Sequence, residues 1–157
     1  MLEIFTNYPN LIISLHVLSA IIWIGGMITL RIAVYPAIQT IENPKIKLSK
    51  TLEIMKKLLN IVMPMVAILL GTATIMIIGF KFKTSSLYPI VLAKEAIWAI
   101  MSIIYSIIYV KRFRAEKLFN EGEYIKSKKL IKDIPNFLLP LNIILGIIAL
   151  YLGVILQ

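Results

Sequence analysis

Four long apolar runs, at about 11–35, 58–80, 87–110 and 134–156, constrain this chain more than any motif in it. About 20 apolar residues in a helix cross a hydrocarbon core of roughly 30 Å, and a helix satisfies its own backbone groups there. The composition agrees. Hydrophobic residues make up 59% of the chain and the mean hydropathy is +0.88, more than a soluble domain needs to fill one core. The expectation is an all-α polytopic membrane protein, with residues 1–157 forming a single four-transmembrane-helix bundle in the cell (inner) membrane. The first run reads as a retained span and not a cleaved leader. It is too long for a signal core, and residues 1–10 hold Glu3 but no Lys or Arg.

The net charge of +9 is unevenly placed. Lys45, Lys47, Lys50, Lys56 and Lys57 lie between runs one and two. Lys111, Arg112, Arg114, Lys117, Lys126, Lys128, Lys129 and Lys132 lie between runs three and four, against only Lys81 and Lys83 between runs two and three. Cytoplasmic loops are the ones enriched in Lys and Arg, so the first and third loops are expected inside and both termini extracytoplasmic. The lipid bilayer is then the main partner, with anionic headgroups worth ~1 kcal/mol per nearby basic residue. Nucleic acid is not expected, because the basic loops carry no aromatic stacking platform. Phe113, Phe119 and Tyr124 read as anchors of a helix end.

Chain breakers punctuate the runs. Pro36 is expected to end span one, and Asn43-Pro44 marks the loop after it. The turn at Lys83-Thr84-Ser85-Ser86 leads into span three near Leu87. That span continues beyond the membrane as far as Gly122, a helix stop. Pro135 suits the first turn of span four. Pro64 and Pro140 fall within spans and should each bend a helix or free a carbonyl.

The chain has no cysteine, which excludes disulfides, thiolate metal sites and covalent c-type haem. It has no phosphate-binding loop, nucleophile elbow or pair of metal-spaced histidines, so hydrolase and ATPase chemistry have no candidate residues. What remains is a small set of polar groups inside the apolar runs.

The only histidine, His16, shares a helical stripe with Ile12, Trp23, Met27 and Val34, with Ala20 and Arg31 at its edge. Gly25 and Gly26 beside the stripe would let a helix or a flat ligand approach the backbone. On span three, Lys94, Trp98, Met101, Tyr105 and Tyr109 line one face. Counted from Leu11 and Leu87, His16 and Lys94 lie roughly 8 and 10 Å below the same surface. Span two brings Thr72, Thr74 and Met76 to that level. A polar pocket in the outer half of the bundle follows, marked as functional by the cost of ionisable groups in lipid. Lys94 either pairs with Glu95 or snorkels to the outer headgroups, or it meets an anionic ligand group such as a carboxylate. His16 either bonds a neighbouring helix or ligates haem iron or copper. With one histidine, bis-histidine haem within a single chain is impossible. Met63 and Met65, the methionines that could suggest copper, lie near the opposite end of span two. Asn142, Gly146 and Gly153 give the last span a small-residue face suited to helix packing or a homo-oligomer.

The run His16 to Gly26, the segment Arg31-Ile32-Ala33-Val34-Tyr35, Ile61-Val62-Met63-Pro64, Lys94 and Asp133-Ile134-Pro135 together resemble the CopD/HemJ-like membrane superfamily. This group includes copper-resistance D-type proteins and HemJ-type protoporphyrinogen oxidases, and the resemblance spans nearly the whole chain in order. It implies an oxidoreductase-type role, with His16 as the haem b ligand and metal contact. Lys94, Arg31 and Asp133-x-Pro135 match further positions of the family and would form the site with His16, and Trp23, Gly26 and Trp98 are candidates to line the cofactor beside them. The alternative is a CopD-like copper transport or resistance protein, or a non-catalytic membrane assembly factor. The chain departs from the HemJ pattern at Pro36 and at Ile104-Tyr105, where histidines are usual, and at Lys132-Asp133 in place of Asn-Glu.

Overall fold

The computed structural model describes residues 2–156, and these form five helices and one 3-10 turn (Phe82–Thr84), with no strand among them. A short helix α1 (Leu2–Asn7) precedes four long ones: α2 (Pro9–Gln39), α3 (Pro44–Gly79), α4 (Tyr88–Asn120) and α5 (Tyr124–Ile155). All four are long and apolar enough to cross a membrane, and the chain is a multi-pass integral membrane protein with an all-α four-helix bundle. The helices follow one another around the bundle. α2 packs along α3, α3 on α4 and α4 on α5, and α5 returns to α2 where Ile24 sits over Gly146. The core runs through Trp23, Met27, Leu59, Val62, Tyr105 and Leu139, while Leu18, Ile61, Ile103 and Ile147 face outward. Outward aliphatic groups on every helix would be a liability in water and are ordinary in lipid.

The basic stretches at 44–57 and 124–131 are helical where the sequence suggested loops, and the one after span three is helical as expected. Asn43 caps α3, its Oδ1 accepting from the amides of Lys45 and Ile46 at 3.0 and 3.2 Å, with Pro44 in the first turn. The helix then carries Leu48, Leu52, Met55 and Leu59 inward at steps of four, three and four. α4 ends as expected at Gly122 (φ +81°). The amides of Gly122 and Glu123 turn back to the carbonyls of Phe119 and Leu118, and the positive φ suits a residue without Cβ.

Pro36 does not end α2, which runs on to Gln39. The reason is a widened π turn over Leu30–Val34, in which the amide of Tyr35 reaches the carbonyl of Leu30. Pro140 is preceded by the same device at Ile134–Leu138, where the Leu139 amide bonds the Ile134 carbonyl. In both cases the wider turn makes room for a proline ring that would otherwise press on the preceding turn. A third π turn, Ile21–Gly25, brings the consecutive residues Trp23 and Ile24 both into the core. α3 stays helical through Pro64. Close to the carbonyl that Pro64 leaves without its amide donor, the Tyr105 hydroxyl donates to the Leu59 carbonyl at 2.7 Å.

Candidate functional site

His16 and Thr72 form the first contact of the site. The imidazole Nδ1 lies 2.8 Å from Thr72 Oγ1. The Thr72 hydroxyl has one proton, and this is directed to the Ile68 carbonyl, 2.7 Å away on its own helix. With that proton on the Ile68 carbonyl, Thr72 Oγ1 can accept from Nδ1–H, and in that tautomer the lone pair of the neutral ring lies on Nε2. Of the two His16 alternatives, the bond to a neighbouring helix is the one seen here: the ring meets Thr72 of α3 and lies against the backbone at Leu69. Thr74, expected at the same level, is exposed and donates to the carbonyl of Leu70.

Lys94 is half-buried on α4, close enough for its charge to act on the His16 ring. Its ammonium rests over the α-carbon of Gly153 on α5, only 2.9 Å from where a Cβ would stand. No ion pair joins it to Glu95 among the described residues, since successive helical residues diverge by about 100° and Glu95 faces out. One turn further along α4, the buried indole nitrogen of Trp98 has no hydrogen-bond partner, nor has the Ser102 hydroxyl a turn beyond. Across from them Asn142 is fully buried. Its Nδ2 reaches the Met101 carbonyl at 3.5 Å and its Oδ1 stays unpaired. From Lys94 and Trp98 a line of polar groups runs along α4 to Ser102, which stands at the edge between the inner and outer faces, and Asn142 is its counterpart on α5.

Three of the expected site residues lie elsewhere. Trp23 is 1% exposed and packs edge-on to Tyr105 with ring centroids 6.2 Å apart, one layer deeper than His16. Gly26 is covered by Leu58, whose Cδ1 would come within 2.9 Å of an added Cβ. Arg31 is 15 residues from His16, about 22 Å along a helix, and lies over the Tyr35 ring at 6.0 Å. The small-residue face of the last span is used inside the chain, with Gly146 under Ile24, Gly153 under Lys94 and Asn142 against α4.

At the basic end, Arg112 was read as one charge among many but is only 3% exposed. Its Nη2 lies 2.6 Å from Glu116 Oε2, and Glu116 also holds Lys56 of α3 at 3.2 Å. Lys111 pairs with Asp133 across α4 and α5. The sequence signal for Arg112 was its place four and eight residues beyond the inward-facing Ile108 and Ile104.

The centre of the bundle is closely filled. Between Trp23, Met27, Met55, Leu59, Tyr105 and Leu139 there is a cavity of about 10 Å³, the size of one water and entirely apolar. Among the described residues no three His, Cys, Asp or Glu side chains gather where they could hold a metal ion. In comparisons with known proteins, no family model, no curated protein and no solved structure matches the chain.

Proposed function

We propose that this membrane protein holds haem b in a redox role, and that Nε2 of His16 would bind its iron. The contact between His16 and Thr72 carries the reading, because a ring that donates Nδ1–H to Thr72 is the tautomer that would present a lone pair for iron. Lys94 supplies the positive charge that a propionate carboxylate would meet, and Gly153 keeps room for its ammonium. Trp98 and Asn142 add donors and acceptors below it. The donor set fits such a group, whereas the apolar cavity at Trp23 is far below the several hundred Å³ of a ligand site. Binding therefore belongs at the level of His16 and Lys94, where both side chains are only half-buried.

Haem b bound there would supply one-electron chemistry. The chain's own part is to orient the imidazole through Thr72, to balance carboxylate charge through Lys94 and to keep water out with the aliphatic layer beneath. The resemblance to the HemJ-type oxidases supports the same reading and would make the protein an oxidoreductase acting on a porphyrin. We take both termini to be extracytoplasmic in the cell (inner) membrane. A copper site would want several thioethers near His16; on α3 only Met76 stands within a turn of Thr72, while Met63 and Met65 are seven or more residues along the helix, roughly 10 Å or more away.

The test is the visible spectrum of the full chain purified from haem-replete cells. A Soret band that is lost or displaced in His16→Ala is the expected result. Pigment-free protein overturns the haem reading, and an unchanged band in the variant overturns His16 as the ligand.

A further inference from the structure

We infer that α4 carries a binding groove for one anionic phospholipid on its outer face, in the leaflet at the basic end. The groove is a shallow, open space of about 550 Å³ lined by α4 alone. One wall is the row Ser102, Ser106, Val110 and Arg114, the other Ile103, Ile107 and Lys111; in each, neighbours lie four residues apart, the spacing of a helix ridge. The two serines lack the bulk to fill the space between ridges. The Ser106 hydroxyl is folded back onto the Ser102 carbonyl at 2.8 Å, so the upper floor of the groove offers carbon to its surroundings.

Its length and charge select the occupant. From Ser102 to Arg114 the helix rises about 18 Å, close to the ~15 Å of hydrocarbon in one leaflet plus the start of the headgroup layer. The deep end is aliphatic and the shallow end basic. Lys111 is shared with Asp133, but Arg114 is exposed and enters no ion pair among the described residues. An acyl chain lying along Ile103 and Ile107 would bring its phosphate to Arg114. A second copy of this chain is the poorer occupant. In a two-fold contact through this face each Arg114 and Lys111 would oppose its own counterpart. The groove owes nothing to a ligand at His16, so the two readings stand or fall separately.

Native mass spectrometry of the full chain, released from micelles containing equal phosphatidylglycerol and phosphatidylcholine, tests this. Expected is a single phosphatidylglycerol adduct retained at collision energies that strip phosphatidylcholine. Arg114→Gln should lower its occupancy about five-fold, the effect of one basic residue near the surface. Ser106→Leu should fill the groove and lower it at least as much, while Lys83→Gln at the opposite end leaves it unchanged. Circular dichroism of each variant establishes that it is folded. Equal retention of the two lipids, equal loss in Lys83→Gln, or a dimer that Ser106→Leu abolishes while lipid adducts persist would each overturn the groove.

Discussion

Because the chain has a single histidine, the tautomer of His16 can be read without ambiguity from the ¹⁵N shifts of selectively labelled protein. The expected form carries the proton on Nδ1. Thr72→Val should remove that preference and Thr72→Ser retain it, since only a hydroxyl can accept from the ring. At Tyr105, replacement by Phe deletes the bond to the Leu59 carbonyl and should cost ~1 kcal/mol in denaturant unfolding from micelles. His16 and Lys94 were legible as candidates because ionisable groups stand out in an apolar run. Their partners were not. Thr72 was placed at the right depth by counting, but no spacing rule says that its hydroxyl faces α2 and that of Thr74 does not. Arg31 shares a stripe with His16 on paper, yet a stripe says nothing of the distance along it.

The helices themselves were largely written in the apolar runs, and their ends were less so. Hydropathy reports where lipid stops. Capping and core spacing report where the helix stops, which is why α3 begins at Pro44 and not near 58. Gly122 was readable because a residue without Cβ after a polar helix end is a local signal. Gly122→Ala should destabilise by ~1 kcal/mol, measured by thermal unfolding, because Ala must adopt φ +81° to keep the two turned-back amide bonds. The π turns were not readable. A proline implies a break, a bend or a wider turn, and the choice depends on packing that only the neighbouring helices supply. Gly146→Val should test that packing. Its Cβ would come within 2.9 Å of Ile24 where α5 meets α2, and overpacking of this kind costs ~1–3 kcal/mol.

Seen whole, the molecule has one end rich in charge and one end almost free of it. The absence of cysteine makes its orientation directly measurable. A single cysteine at Ile125, which is 86% exposed, should react with a membrane-impermeant maleimide only after the membrane is opened. One at Ser86 should react in intact cells. Reversed labelling would invert the orientation inferred from the basic residues. At the charged end, Glu116→Gln would strand the buried guanidinium of Arg112, and a loss of ~2–3 kcal/mol is expected, below the full buried-pair cost because Glu116 itself is partly exposed. α3 and α4 extend beyond the apolar runs at this end by about 14 and 10 residues, or roughly 21 and 15 Å of helix. Such a collar of ammonium and guanidinium groups behaves like the float of a buoy: it cannot be drawn below the waterline without shedding hydration. In a thinner bilayer, therefore, the adjustment must come from the lightly charged far side, where α1 and the short turn after α3 would rise into the headgroups while the collar held its level.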